Sequence, residues 1–129
     1  MKVLNFEDSV YKANAIRKVL NQCGVPKIEL VSNVEDGLQM LKNTEDTGDP
    51  FDLIITDMHY PMKQGAVSDT EAGEKLVQLL QEQGKQTKVI VCSSRNMKLP
   101  GAYGCIWYSE ISDWEEELCD LVREMEKNR

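Results

Sequence analysis

The sequence lacks the features of a membrane protein or a nucleic-acid-binding protein. No apolar run approaches the roughly 20 residues that a membrane-spanning helix needs, and the N-terminal stretch has no signal-peptide core. Basic residues are the minority: 15 Lys and Arg stand against 22 Asp and Glu, which gives a formal net charge of −7. Because such a chain repels nucleic-acid phosphates and anionic lipids, we expect neither nucleic acid nor membrane among its partners.

Cysteine pairs with metal-ligand spacing are also missing. Cys23, Cys92, Cys105 and Cys119 form no CxxC pair, and the chain has a single histidine, so a zinc site is not expected. All four cysteines lie among apolar residues, which is typical of small buried side chains. We therefore predict free thiols, and hence a reducing, cytoplasmic location.

Length and composition are those of an ordinary globular protein. The 129 residues predict a single domain, 1–129. The sequence is 41% hydrophobic and 29% charged, which excludes a disordered tail, a coiled coil and a fibrous protein.

Strand-like and helix-like segments alternate along the chain. Apolar runs at 2–6, 28–31, 51–56, 89–92 and 105–108 predict strands. Helical spacing predicts helices after Ser9, after Asn33, over 74–83 and after Ser112, the last with a capping box of Ser112 and Glu115. This alternation predicts a doubly wound α/β fold with a parallel sheet.

Acidic and hydroxyl side chains follow three predicted strands at their carboxyl ends. Glu7 and Asp8 follow the first strand, Asp57 follows FDLIIT, and Ser93 follows VIVC. Ligands of doubly wound sheets bind outside these ends, where the four side chains converge if the strands are neighbours. Any one acid is more simply a solvated loop residue, but three carboxylates in one crevice need a cation. Magnesium suits such oxygen ligands, so we predict a Mg²⁺ site.

Several common nucleotide and hydrolase motifs are absent. The sequence has no GxxxxGK loop, no GxGxxG fingerprint and no GxSxG elbow. The pattern therefore gives no support to a site for flavin or nucleotide phosphates, or to a serine hydrolase.

Over nearly its full length the chain resembles a response-regulator receiver domain. The resemblance rests on the acidic pair Glu7–Asp8, on Asp57, Pro61 and Gly65 in a D-x-x-x-P-x-x-x-G pattern, and on Ser93. It implies a flavodoxin-like, five-stranded parallel sheet in the order 2-1-3-4-5. It also implies a domain that accepts a phosphoryl group from a histidine kinase or phosphotransfer protein and signals to a downstream protein.

The resemblance implies a role for each matching residue. Asp57 takes the place of the phosphoacceptor. Asp8 and Glu7 take the places of the acids that hold Mg²⁺, Asp8 directly and Glu7 through water. The backbone carbonyl of His59 is a further metal ligand. Ser93 matches the hydroxyl residue that contacts the phosphoryl group and switches position.

The run G-C-I-W-Y-S-E departs from the family pattern. Where the family places Lys-Pro after its fifth strand, this chain has Tyr108 and Ser109. A tyrosine brings no charge, whereas a hydrogen bond to a charged group is worth about 1.5–3 kcal/mol, so we expect phosphorylation to be slower, less stable or absent. One hypothesis is that Arg95 or Lys98, close in sequence to Ser93, supplies the missing positive charge.

Two connections also depart from the pattern. Residues 95–103 must link the fourth and fifth strands, and a parallel crossover usually needs a dozen residues or more. We therefore predict a fourth helix shortened to a turn. Residues 66–73 look like an insertion beside the acidic residues, which fits a lid, a partner contact or a tolerated surface loop.

Three functions from different classes fit these observations. The first is a Mg²⁺-dependent receiver, phosphorylated on Asp57 in a phosphorelay. The second is a pseudo-receiver that binds proteins independently of phosphorylation, as Tyr108 suggests. The third is an aspartate-nucleophile phosphohydrolase, which would need His59 as acid/base because no second aspartate follows Asp57 closely. We predict the receiver, and no enzyme.

Overall fold

The computed structural model describes residues 1–128, in which strands and helices alternate. The strands are β1 (Lys2–Phe6), β2 (Lys27–Val31), β3 (Leu53–Thr56), β4 (Tyr60–Pro61), β5 (Ser68–Asp69), β6 (Lys88–Ser93) and β7 (Gly104–Trp107). The helices are α1 (Val10–Gln22), α2 (Val34–Asp46), α3 (Ala72–Glu82) and α4 (Trp114–Lys127). Among residues 1–128, no helix combines the length and apolar character needed to cross a membrane.

Five strands form a parallel sheet in the order β2-β1-β3-β6-β7, while β4 and β5 pair separately as an antiparallel hairpin. Without the hairpin strands this order is 2-1-3-4-5, so the predicted doubly wound, flavodoxin-like receiver topology is confirmed. The strand order reverses beside β1, and β1, β3 and β6 are neighbours. Their carboxyl ends therefore meet at the switch point where such folds bind ligands.

Helices cover both faces of the sheet because successive strand residues point to opposite sides. Leu4 and Ile54 belong to the core layer that includes buried residues of α2 and α3. Val3 and Ile55 belong to the layer that includes buried residues of α1 and α4. The central strands are thus buried on both faces, as their continuous apolar runs predict.

The connection from β6 to β7 contains no helix in the described chain. The connection is anchored by Leu99. Its side chain is buried, and its backbone N–H donates to Cys105 Sγ at 3.3 Å. The predicted reduction of the fourth helix to a turn is therefore confirmed, and four helices flank the sheet in residues 1–128.

Three predicted boundaries were wrong. The third strand begins at Leu53, where its pairing with Val3 of β1 begins, rather than at Phe51. The second helix continues to Asp46, whereas the polar run 44–50 predicts a loop. The stretch 58–72, whose proline, glycine and small polar residues predict a loop, contains the β4–β5 hairpin.

The predicted capping box of the last helix was also wrong. Asp113 is the N-cap residue of α4, and its side chain makes no capping hydrogen bond. The Ser112 hydroxyl instead donates to the carbonyl of Trp107 at 2.6 Å. The Ser112 hydroxyl is therefore used in a tertiary contact with the end of β7 and does not cap the helix.

The cysteines divide into two classes. Cys23, at the end of α1, and Cys119, in α4, form a disulfide with a Cα–Cα distance of 5.8 Å. The prediction of free thiols was wrong for this pair, whereas Cys92 and Cys105 are free. The thiol argument for a cytoplasmic location accordingly loses two of its four residues.

Candidate functional site

A cleft of about 720 Å³ opens at the carboxyl ends of the parallel strands. Its lining contains the acidic, hydroxyl and aromatic residues that the sequence singled out for the site: Glu7, Asp8, Asp57, His59, Ser93 and Tyr108. The convergence expected from the strand-end rule is therefore present in the fold.

Three carboxylates cluster in this cleft. Oxygens of Glu7, Asp8 and Asp57 lie within 4.8 Å of one another. Glu7 is only 2% exposed, and its Oε2 accepts a hydrogen bond from the backbone N–H of Ser9 at 3.2 Å. Burial and the nearby charge of Asp57 outweigh the effect of Lys12 and raise the pKa of Glu7 above its usual value. The cluster is thus an electrostatically costly arrangement that favours cation binding.

Backbone contacts fix Asp57 at the end of β3. Its N–H donates to Phe6 O at 3.1 Å, and its Oδ1 accepts from the Met58 N–H at 2.8 Å. Gly73, at the start of α3, lies close to this turn, because a Cβ there would stand 2.4 Å from the Asp57 carbonyl oxygen. The acceptor turn and α3 therefore pack at a distance that only glycine allows.

Ser93 lies at the carboxyl end of β6 and is buried. Its Oγ accepts a hydrogen bond from the Arg95 backbone N–H at 3.1 Å. Since Oγ is the acceptor in this contact, the hydroxyl proton of Ser93 remains available for a second partner.

Sequence reasoning missed the buried cation of the cleft, Lys12. Its Nζ lies 2.9 Å from Glu7 Oε1 and 3.3 Å from Asp57 Oδ1, and it donates to the carbonyl of Cys92 at 2.6 Å. The side chain is 9% exposed, so this ammonium group is part of the interior of the site.

Lys12 comes from the first turn of α1, where a positive charge opposes the helix dipole. Burial alone would lower its pKa, but the carboxylates of Glu7 and Asp57 more than offset this and raise the pKa. A sequence signal for the residue existed. The buried stripe of α1 includes Ile16 and Val19, and Lys12 lies one turn before Ile16 on the same stripe.

Tyr108 follows β7 at the edge of the cleft. The Lys12 ammonium lies 5.2 Å from the centroid of its ring, within the range of a cation–π contact. The ring also packs against Trp114, with centroids 4.9 Å apart. Tyr108 therefore lines the site through the face of its ring.

In the described chain, neither of the two cations considered from the sequence forms an ion pair with the carboxylate cluster. Arg95 lines the cleft but is exposed, and its Nη2 donates to the carbonyl of Thr70 at 3.3 Å. Lys98 is exposed and is not among the residues that line the cleft. The ion pairs to the carboxylate cluster come from Lys12.

The residues of the cluster fit a divalent metal ion. Three carboxylates and the single ammonium group of Lys12 leave two negative charges uncompensated when all are ionised. Hard cations such as Mg²⁺ and Ca²⁺ prefer oxygen ligands of this kind.

Comparison with solved structures identifies the fold. A response regulator receiver protein from Pseudoalteromonas atlantica is 18% identical with a TM-score of 0.73, over 99% of this chain and 98% of that one. The receiver domain of Francisella response regulator 1452 is also 18% identical, with a TM-score of 0.72 and the same coverage. The phosphorylated cyanobacterial phytochrome response regulator RcpA is 19% identical with a TM-score of 0.69, over 98% of this chain and 91% of that one.

Sequence-level comparison finds nothing of this kind: no family model and no curated protein matches the chain. The similarity therefore lies in the three-dimensional structure, and it extends over nearly the whole length of both chains in each comparison. The chain has the fold of response-regulator receiver domains.

Proposed function

We propose that the protein is a phosphoaccepting receiver domain, modified on Asp57 in a Mg²⁺-dependent phosphorelay. One observation carries the proposal: Asp57 stands at the carboxyl end of β3, with the acids after β1 on one side and Ser93 on the other. A nucleophile, a set of metal ligands and a hydroxyl donor thus share one cleft.

The reaction is transfer of a phosphoryl group from a phosphohistidine of a histidine kinase or phosphotransfer protein. A carboxylate oxygen of Asp57 forms the new O–P bond while the N–P bond of the donor breaks. The electron pair of that bond returns to the imidazole nitrogen, which takes a proton from solvent. The Met58 N–H and the Lys12 ammonium both contact Oδ1 of the Asp57 carboxylate. Oδ2 is therefore the better nucleophile.

Glu7, Asp8, Asp57 and the backbone carbonyl of His59 would hold the Mg²⁺ ion. When bound, the ion reduces the repulsion between the Asp57 carboxylate and the phosphoryl oxygens. Ser93 uses its free hydroxyl proton to bind a phosphoryl oxygen, and the resulting displacement is the local event that signals to a downstream protein.

The proposal is tested with a small-molecule phosphodonor, which needs no cognate kinase. The protein is incubated with acetyl phosphate and Mg²⁺, and the acyl phosphate is detected by the mobility of the intact protein on a phosphate-affinity gel. Asp57→Asn should abolish the shifted band, whereas Asp120→Asn, an exposed aspartate of α4, should retain it. Equal labelling of the Asp57→Asn variant would exclude Asp57 as the acceptor.

A phosphorylation-independent pseudo-receiver is the second candidate. The observations that favour it are Tyr108 beside the cleft and the connection without a helix before β7. It predicts that neither acetyl phosphate nor a phosphoryl mimic acts on the wild-type chain, while a protein partner still binds.

The proposed role is signalling, not enzymatic turnover. A phosphatase screen with Mg²⁺ should therefore give no release of phosphate from external monoesters. The partners are a sensor kinase or phosphotransfer protein and a downstream protein, and the cytoplasm is the compartment that supplies them. In that reducing compartment the Cys23–Cys119 pair would be mainly dithiol.

A further inference from the structure

A buried ammonium group faces the proposed phosphoacceptor, and it comes from a helix, α1, for which the sequence pattern predicted no role in the site. Lys12 contacts Asp57, Glu7 and the carbonyl of Cys92, at distances between 2.6 and 3.3 Å. These contacts tie one side chain of α1 to the carboxyl ends of β1, β3 and β6. The ammonium group donates a hydrogen bond to the Cys92 carbonyl and forms ion pairs with the two carboxylates, so it is held between the three strand ends.

The residue that follows β7 completes this arrangement without adding a charge. The ring of Tyr108 lies under the Lys12 ammonium at 5.2 Å and is itself fixed by Trp114. A lysine at position 108 would bring a second ammonium group toward the first, and like charges in a shielded site repel. An aromatic face instead attracts the cation.

We propose that Lys12 is the catalytic cation of this site and binds the phosphoryl group on Asp57, with Tyr108 as the residue that positions it. This inference rests on the proposed function. Before transfer, Lys12 shares its charge between Glu7 and Asp57. Once Asp57 carries a phosphoryl group, the ammonium exchanges its Asp57 contact for a phosphoryl oxygen, which carries more negative charge.

The location at the start of α1 supports this role. Ser9 caps the helix through its hydroxyl, which accepts the Lys12 N–H at 3.3 Å, so the backbone of Lys12 is fixed where the cleft begins. A helix N-terminus also favours an anion through its free N–H groups and its dipole. Lys12 and the first turn of α1 therefore act in the same direction on an incoming phosphoryl group.

The test measures two ligands by NMR titration of each variant: Mg²⁺ alone, and beryllofluoride, a phosphoryl mimic, in the presence of saturating Mg²⁺. Lys12→Met should lose roughly ten- to hundredfold in beryllofluoride affinity, as expected for a lost hydrogen bond between charged groups. Its Mg²⁺ affinity should not fall, because the carboxylates remain and the site becomes more negative. Lys18→Met, which removes an exposed lysine of the same helix, should bind both ligands like the wild type.

The difference between the effects of Lys12→Met on beryllofluoride affinity and on Mg²⁺ affinity distinguishes the proposed role from a structural one. If Lys12 only supported the fold, Mg²⁺ and beryllofluoride affinity would fall together, and the proposal would be overturned. A Lys12→Met variant that binds beryllofluoride like the wild type would also overturn it. If the wild type binds Mg²⁺ but not beryllofluoride, the proposed function fails, and the role of Lys12 fails with it.

Moving the lysine from position 12 to position 108 tests the same idea in a variant that keeps one lysine in the cleft. Lys12→Met combined with Tyr108→Lys should recover at least part of the beryllofluoride affinity that Lys12→Met loses. In the positioning role, Tyr108→Leu should weaken beryllofluoride binding while leaving Mg²⁺ binding in place, and Tyr108→Phe should recover most of that loss because the ring face is kept. Equal losses in the Leu and Phe variants would exclude the ring contact as the cause.

Discussion

Lys12 Nζ lies 3.3 Å from Asp57 Oδ1, and the two side chains come from different elements, the first turn of α1 and the end of β3. The buried Glu7 carboxylate lies 2.9 Å from the same ammonium group. The core of the site is therefore a triad of one cation and two anions, largely shielded from water. Its stability must depend on pH and on each of the three charges.

We expect Lys12→Met to change the alkaline stability of the protein. The pKa of Lys12 is raised above its ordinary 10.5 in the folded chain, because Glu7 and Asp57 outweigh the lowering effect of burial. A group of this kind contributes stability that is complete below the unfolded pKa and is lost as the pH rises through the folded pKa. The free energy of unfolding in urea should therefore fall less steeply above about pH 10 in Lys12→Met than in the wild type.

Other groups lose protons in the same range, so the comparison of slopes is what tests this prediction. The pKa of Cys92 is raised to about 12 by burial, and burial also raises the pKa of Tyr60. The contribution of Tyr60 is present in wild type and variant and is expected to cancel. Lys12 itself lowers the pKa of Cys92, so the slopes are compared below about pH 12, where this thiol stays protonated in both folded proteins. At neutral pH we expect Lys12→Met to be less stable by about 3 kcal/mol, since two carboxylates then face each other unpaired. Identical alkaline slopes would contradict the prediction.

The sequence predicted the sheet and the acidic cleft because both follow from rules that act over short stretches. Runs such as 51–56 are apolar on both faces, as doubly buried parallel strands must be. Asp57 and Ser93 then meet because the ends of adjacent parallel strands share one edge. The residues that directly follow a strand end can thus be assigned to the site from the sequence alone.

The features that the sequence did not predict depend on how helices pack against the sheet. A lysine near a helix start is typical of solvent exposure, yet Lys12 lies on the buried stripe of α1, and the packing of this helix directs it inward. The Cys23–Cys119 bridge requires the end of α1 to meet α4, which no local pattern encodes. Ser112 has the local signature of a helix cap but bonds to Trp107 instead.

Gly73→Ala should disturb the site through the backbone. An added Cβ would stand 2.4 Å from the Asp57 carbonyl oxygen and 2.9 Å from Met58 Sδ, so α3 or the acceptor turn must move. We expect a loss of about 1–3 kcal/mol in the free energy of unfolding, as for other overpacked interior sites. NMR shifts should concentrate around Asp57.

Gln78→Ala is the matched control, because Gln78 is an exposed position of the same helix. Its stability should stay within about 0.5 kcal/mol of the wild type. If Gly73→Ala were equally harmless and left the resonances of Asp57 unmoved, the close packing of α3 on the acceptor turn would not hold in solution.

Tyr60→Phe should remove one buried hydrogen bond behind the site. Thr56 Oγ1 donates to the Asp57 carbonyl at 2.7 Å, so the Tyr60 hydroxyl is the donor in its own 2.7 Å contact with Thr56. Loss of that donor should cost about 1 kcal/mol in urea unfolding. Tyr11→Phe, at a residue that is 83% exposed, should leave stability unchanged, and a Tyr60→Phe variant with wild-type stability would refute the assigned bond.

The Cys23–Cys119 disulfide should make the stability of the protein depend on reductant. It joins residues separated by 96 positions, and a cross-link of this span typically contributes about 2–4 kcal/mol by restricting the unfolded chain. A phosphine reductant should therefore lower the thermal midpoint of the wild type. Cys23→Ser should start at the lower midpoint and should not respond to the reductant.

Thiol titration of the denatured, unreduced wild type checks the same bond chemically. Only Cys92 and Cys105 should react, because these are the free cysteines in the described chain. Four reactive thiols together with a thermal midpoint that does not change with reductant would mean that the bond does not form in solution.

Two reactive thiols with a reductant-sensitive midpoint would establish a covalent link between α1 and α4. Helix α1 carries Lys12 in its first turn, and α4 packs Trp114 against Tyr108. Reduction would then loosen the two helices that hold the cation and its aromatic support, so beryllofluoride affinity should fall with reductant in the wild type and stay constant in Cys23→Ser.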